Sequence, residues 1–318
     1  MIEEVKELIL RYEKITIVTH LNPDADTIGT ALGIYGILKN SGKRVEVVNN
    51  GTNLPINLDF LPYFVKIKSQ MDFDNSLIIA CDTGSIDRLG FDLNSRTIIN
   101  IDHHKSNTRY GTVNVVEPMA VSASEVAYKL FRDEFTITKE IATCFYTALL
   151  SDTQYFTTRS VKNDTFNIAS DLMACGVDIS KVVFNLKQRR SLASLRILGS
   201  TLDTLDLYKD GEVVFMHVSQ EKLLEAGATI LDVVGIVDYG VSLVTTELSI
   251  LLIELEDKIR VSIRSKHVDI SALAISFGGG GHKHAVGFEI DNIKRKVLIE
   301  MIKKEIKTKG LLDEKKWF

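Results

Sequence analysis

The sequence predicts an α/β protein: an N-terminal parallel sheet with helices on both faces, then a smaller C-terminal α+β domain. Three observations carry that expectation. Over the first half, short β-branched apolar runs alternate with helical patterns, as in a covered parallel sheet. In the last third, consecutive strand-like runs are followed by helices. A chain of 318 residues is long enough for about two domains at roughly 150 residues each.

Taken in order, ITIVT (15–19) is the first strand, and DTIGTALGIYGILKN (26–40) is a helix ending before Gly42. RVEVV (44–48), SLIIAC (76–81) and RTIINI (96–101) are further strands. After Ser122 the pattern turns helical, with SASEVAYKLF, KEIATCFYTALLSD and NDTFNIASDLMACG, the last closed by Gly176. NLKQRRSLASLRILGSTL (185–202) reads as a connector, or equally as a surface helix of the first domain. The last third offers strands VSLVTTELSILLIEL and KIRVSIRSK, a helix VDISALAISF, a glycine run, a strand AVGFEI and an amphipathic Lys/Glu helix. The expected division is 1–185, a helical linker over 186–203, and 204–318.

Composition excludes several classes. The net charge of −4 gives no global basic excess of the kind that draws duplex DNA or anionic membranes. No apolar run approaches the roughly 18 residues of a membrane span. The N-terminal MIEEVKELIL is acidic and amphipathic, so no secretion signal is expected. Cys81, Cys144 and Cys175 are odd in number and widely spaced, which suits a reducing cytoplasm and small core residues. His217 and His267 are read as structural.

The chemistry gathers at strand ends. His20, Asp24 and Asp26 follow ITIVT; Asp82 follows SLIIAC; Asp102, His103 and His104 follow RTIIN; Asp152 ends a helix. Open parallel sheets bind ligands at the carboxyl ends of their strands. Singly, each Asp could be a turn former, and Asp26 could simply cap the helix 27–40. Together, converging carboxylates would repel one another unless cations intervene. Four of these carboxylates and two divalent ions would balance in charge. Carboxylate and imidazole without thiolate suit two divalent ions, Mn²⁺ foremost, with Mg²⁺ or Co²⁺ as substitutes. Two such ions about 3.5–4 Å apart stabilise an in-line displacement at phosphorus.

On the substrate side, Lys258, Arg260, Ser262, Arg264 and Lys266 share one face of a strand, and Ile259, Val261 and Ile263 the other. Lys258 and Arg260 read as solvated. A guanidinium can grip a phosphate bidentately, which singles out Arg264. Gly278 to Gly281 would let backbone N–H groups approach a phosphate, with His282 directly after. A flexible loop is the plainer reading of glycines alone. Tyr155 and Phe156 could stack a base or pack in the core. Arg189 and Arg190 read as surface residues.

H-L-N-P-D-A-D (20–26), C-D-T-G (81–84), D-H-H-K-S-N (102–107) and S-D-T (151–153) resemble the four motifs of the DHH phosphoesterase superfamily. GGGGHKHAVGF (278–288) resembles its DHH-associated C-terminal domain. Length and layout are most similar to the bacterial bifunctional oligoribonuclease (nanoRNase)/pAp phosphatase group. The resemblance implies that His20, Asp24 and Asp82 hold one metal, and that Asp26, Asp82, His103 and Asp152 hold the other. It implies catalytic roles for Asp82, Asp102 and His104, with Asp102 orienting a ligand histidine and His104 touching the phosphate or leaving group. Substrate contacts would come from His104, Arg264, Ser265, Gly279, Gly280, Gly281 and His282.

The implied activity is two-metal hydrolysis of short single-stranded RNA to mononucleotides and of 3′-phosphoadenosine 5′-phosphate (pAp) to AMP. A cyclic- or linear-dinucleotide phosphodiesterase is the alternative. A pyrophosphatase would not need the glycine motif, and a non-catalytic nucleotide sensor would not need every inner position. Long duplex nucleic acid and membranes are not expected as partners, and a homodimer is admitted. Val286 and His284 within the glycine motif, and Thr157 and Thr158 after Phe156, depart from the family pattern.

Overall fold

A computed structural model describes residues 2–51 and 54–312, in two units, 1–189 and 190–318. In the first, α1 (Ile2–Arg11) leads into β1 (Lys14–Val18), α2 (Ala25–Asn40), β2 (Arg44–Val48), β3 (Ile67–Lys68), β4 (Leu77–Cys81), β5 (Ile98–Asp102) and β6 (Val113–Val116). Helices α3 (Ala123–Phe131), α4 (Lys139–Asp152), α5 (Asn163–Ala174) and α6 (Ile179–Val183) follow. The strands form one parallel sheet in the order β3-β2-β1-β4-β5-β6. The order reverses between β1 and β4, which opens a crevice at their carboxyl ends.

Both sheet faces are buried, so the strands are apolar almost throughout. The coverage is unequal. Ile15, Ile17, Val47, Ile79, Ile99 and Ile101 pack under the helices. Val18, Val48, Ile78, Ala80 and Ile98 meet Leu89, Leu93 and Phe91 from a 3₁₀ turn and loop. Helices lie mainly on one face because only one face meets the long helical tract after Ser122.

The packing of α2 on α4 aims Asp152. A Cβ at Gly29 would fall 2.5 Å from the Cys144 carbonyl, and one at Gly33 would fall 2.3 Å from the Phe145 ring. Gly36 faces Ile141 at 2.7 Å. The glycines ascend α2 while their partners descend α4, so the helices run antiparallel at close range. The start of α2 and the end of α4, with Asp24, Asp26 and Asp152, therefore lie together.

The second unit comprises α7 (Leu192–Leu202), β7 (Asp206–Tyr208), β8 (Val213–Val218), α8 (Gln220–Ala226), α9 (Ile230–Val233), α10 (Val237–Val241), β9 (Leu248–Glu254), β10 (Lys258–Ser265), α11 (Ser271–Ile275), β11 (Gly280–His282), β12 (Ala285–Asp291) and α12 (Arg295–Thr308). Its mixed sheet has the order β11-β12-β10-β9-β8-β7. Alternation divides each strand: Val213 and Phe215 pack toward α11 and α12, Val214 and Met216 toward α7 to α10.

The helix within the expected linker packs into this unit. Ile197 is fully buried beside Val214, Met216 and Val237, and Phe184–Gln188 is a separate π-helical turn in the first unit. The strand expected from Val241 begins only at Leu248, because Val237–Val241 coils into α10. Among the described residues no helix is long and apolar enough to cross a membrane.

Candidate metal centre

Every carboxylate and imidazole expected in the first unit lies at the β1/β4/β5 edge or at the end of α4. Ligand-capable atoms of His20, Asp24 and Asp82 lie within 4.8 Å of one another, as do those of Asp26, His103 and Asp152, and of Asp82, His103 and His104. Asp82 belongs to two of these groups. It follows β4 with φ of 54°, a left-handed conformation that Asp tolerates better than most residues. Thr27 Oγ1 donates to Asp82 Oδ2 at 2.6 Å. Asp82 Oδ1 and His20 Nδ1 are buried without a hydrogen-bond partner.

The two carboxylates of H-L-N-P-D-A-D divide their work, and the plainer alternative for Asp26, a helix cap, does not hold. Asp24, not Asp26, is the N-cap of α2, with Oδ1 accepting from Thr27 N at 3.0 Å. Asp26 lies in the first turn and is 2% exposed. Its oxygens accept from Ala123 N (2.7 Å), Ser124 N (3.2 Å) and Thr30 Oγ1 (3.2 Å). It thus sits on the positive end of α3, which steadies its charge.

His103 Nε2 points inward, 3.5 Å from Asp82 Oδ1, 3.5 Å from Asp152 Oδ2 and 3.8 Å from Asp26 Oδ2. Its Nδ1 faces the Ala120 carbonyl at 3.4 Å. Asp102 therefore does not orient His103. Its Oδ1 lies 2.7 Å from His104 Nδ1, and Asn107 Nδ2 donates to its Oδ2 at 2.5 Å. Side chains of successive residues at a strand end diverge, and only the third residue of D-H-H returns to the Asp side.

The electrostatics show what such crowding costs. Burial, then the charges of Asp82 and Asp152, push the Asp26 carboxyl well above its usual range. Burial, then Asp82 and Asp24, raise Asp152 to about 6 against the pull of His103. Burial lowers His103, but Asp82, Asp26 and Asp152 outweigh it and raise the imidazole to about 10. Burial also holds His20 below its usual range. The Asp102 hydrogen bond raises His104; Asp102 itself is held down by His104 and Asn107 against burial. The carboxyls of Asp26 and Asp152 thus resist ionisation in one another's company. Oxygen and nitrogen donors without thiolate, and an orphaned Asp82 Oδ1 3.5 Å from both His103 Nε2 and His104 Nδ1, fit hard divalent ions.

Beyond Asp152, Gln154, Tyr155 and Phe156 are all left-handed, with φ of 47°, 61° and 62°. Phe156 packs on Phe166 and Tyr146, with ring centroids at 5.2 and 6.5 Å. Tyr155 is half-buried, with Lys187 Nζ 5.4 Å from its ring centroid. Arg189 is not a free surface cation; it forms a two-pronged pair with Asp59.

In the second unit, Arg264 is half-buried on β10, with Nε 3.2 Å from Asp238 Oδ1. Ser265 is 9% exposed, and its hydroxyl donates to the Val268 carbonyl at 2.5 Å. His284 Nδ1 lies 3.1 Å from the same oxygen. That hydroxyl serves the turn after β10, so the structure gives Ser265 a local role. Gly280, Gly281 and His282 form the exposed edge strand β11. Thr27, the α3 N-terminus and Asp238 escape a reading of the sequence; they act across 55, 97 and 26 residues, where no local pattern points.

Residues 14–149 match the DHH family, N-terminal domain, and residues 213–308 match the DHHA1 domain. The protein of Thermus thermophilus named bifunctional oligoribonuclease and PAP phosphatase NrnA is 30% identical, over 94% of this chain and 92% of its own length. The chain belongs to the DHH family. A crystal structure of an exopolyphosphatase-related protein from Bacteroides fragilis superposes with a TM-score of 0.88 at 28% identity, covering 98% of this chain and 97% of that one. The cyclic-di-AMP phosphodiesterase PdeA of Listeria monocytogenes is 26% identical over 88% of this chain, which spans 45% of that protein. This DHH chain thus matches nearly end to end with the first two and spans less than half of the third.

Proposed function

We propose that this chain is a cytoplasmic, divalent-metal phosphoesterase that hydrolyses short oligoribonucleotides to mononucleotides and pAp to AMP. The observation that carries the reading is Asp82, buried, shared by two ligand groups and left with an orphaned oxygen. His20, Asp24 and Asp82 would hold one ion, and Asp26, Asp82, His103 and Asp152 the other. When bound, two such ions, Mn²⁺ by donor type, supply Lewis acidity for activating water and offsetting charge at phosphorus. The relative named NrnA supports the substrate class. Three free thiols are in keeping with the cytoplasm.

The chain's own groups do the rest. Asp102 accepts the His104 Nδ1–H, which leaves Nε2 as the atom turned toward substrate. As water adds to phosphorus and the P–O bond to the departing ribose oxygen breaks, that oxygen needs a proton. His104, whose pairing with Asp102 favours the imidazolium, would give it from Nε2 and regain one from the proton that the attacking water sheds. Arg264 and the backbone of Gly280 would bind phosphate, with His282 beside them. Tyr155 would carry a base, whereas Phe156 is committed to its aromatic neighbours.

The test is hydrolysis with Mn²⁺ of pAp, RNA of two to five nucleotides and a cyclic dinucleotide, side by side. Turnover of the first two supports the reading. Turnover of the cyclic dinucleotide alone favours the activity for which PdeA is named. No turnover of any with Mn²⁺, Mg²⁺ or Co²⁺ refutes both.

A further inference from the structure

Arg264 is held by a carboxylate that no sequence motif advertises. Its Nε lies 3.2 Å from Asp238 Oδ1, and its Nη1 donates to the Ile263 carbonyl at 3.2 Å. The Asp238 contact is an ion pair at Nε, and one Nη1 N–H is taken by the carbonyl. Three further N–H groups lie on the two terminal nitrogens.

Asp238 is fixed in turn by the strand beside Arg264. The cross-strand neighbour of Arg264 in β9 is Ser249. Ser249 is fully buried, and its Oγ donates to the Val237 carbonyl at 2.7 Å. A Cβ at Gly240 would fall 2.1 Å from that same Oγ. Only glycine lets α10 lie this close to β9. The turn that carries Asp238 is thus seated between Val237 and Gly240 on the residue that pairs with Arg264. A long, flexible side chain is otherwise free to rotate, and fixing it beforehand reduces the ordering left for binding.

We propose that Asp238 is a positioning residue, which binds Arg264 through Nε and presents the terminal Nη1/Nη2 edge of the guanidinium to a nucleotide phosphate. The inference rests on the reading of Arg264 as a phosphate contact. It also commits to a sign. A carboxylate near an anionic substrate would ordinarily repel it; here its removal weakens binding, because the cation is released from its pose.

The test uses the Mn²⁺-loaded protein with pAp and a trinucleotide RNA. Asp238→Asn keeps the shape and removes the charge. It should raise KM about tenfold, with kcat within about twofold and Mn²⁺ affinity unchanged. Asp238→Glu should restore most of the loss. Arg264→Ala should raise KM at least as far, and adding Asp238→Asn to it should change nothing more. A wild-type or lower KM in Asp238→Asn, with a raised KM in Arg264→Ala, overturns the inference alone. So does an Asp238→Asn effect that adds fully to Arg264→Ala. An unchanged KM in Arg264→Ala overturns the phosphate role of Arg264 and the inference with it.

Discussion

Replacing Gly278, Gly279, Gly280 and Gly281 by alanine one at a time separates glycines that build the second unit from one that leaves room for a ligand. A Cβ at Gly279 would fall 2.3 Å from the Gly287 carbonyl and 2.4 Å from Phe288 Cβ. Both belong to β12, paired with β10 and β11, so neither can yield cheaply. Gly281 combines φ of 142° with a Cβ position 2.4 Å from the Ala285 carbonyl. Overpacking of this kind costs about 1–3 kcal/mol or more. Gly278 is open but left-handed, φ 74°, a cost of about 1–2 kcal/mol. Gly280 has open space and no positive φ, so alanine there should add about 0.4–1 kcal/mol of stability through the unfolded chain. At about 4 °C per kcal/mol for a unit of this size, Gly279→Ala and Gly281→Ala should lower Tm by roughly 4–12 °C. Gly280→Ala should leave Tm equal or slightly higher, yet raise KM for pAp. Calorimetry and steady-state kinetics on the four variants decide. If Gly280→Ala melts as early as Gly279→Ala, the space beside Gly280 is not open. If it is stable with an unchanged KM, Gly280 borders no substrate.

Three further outcomes are expected. Asp82→Asn should reduce hydrolysis at least about a thousandfold and abolish the stabilisation against unfolding by Mn²⁺, which in the wild type should reach about 2.7 kcal/mol at a hundred times Kd; turnover near wild type would contradict the shared carboxylate. Metal binding should release a proton near neutrality, because His103, raised to about 10, holds one that a cation must displace; Asp152, raised to about 6, adds a second only below about pH 6. Mn²⁺ affinity should therefore rise with pH between about 6 and 8, and titration calorimetry in buffers of different ionisation heat would disprove this by showing none released. Gln154→Gly should relieve one left-handed residue and, after the added unfolded-state entropy, raise Tm by about 1–4 °C; a fall in Tm would mean that the Gln154 side chain holds the turn.

Much of this molecule is legible in local pattern. Continuous β-branched runs announce β1, β2, β4 and β5, and the Asp and His residues stand at their ends because that is where a parallel sheet opens. Contacts made across the chain are not legible in that way. Nothing near Asp26 says that Ala123 N and Ser124 N will hold it, which leaves Asp24 as the cap. D-H-H alone does not say which imidazole Asp102 meets, since that follows from the twist at the end of β5. VSLVTT has the residues of a strand, yet Gly240 seated against Ser249 turns its start into helix. The fully buried Ile197 draws α7 into the second unit, although its polar face suggests a connector. Asp238 is one acid among many until Arg264 lies beside it.

One carboxylate, Asp82, must serve two cations. Crystals loaded with Mn²⁺ and measured at the manganese absorption edge test it directly. Two anomalous peaks are predicted, one beside His20 and Asp24, the other beside Asp26, His103 and Asp152, with Asp82 coordinating both. A single peak, or two peaks with Asp82 bound to neither or only one, would contradict it.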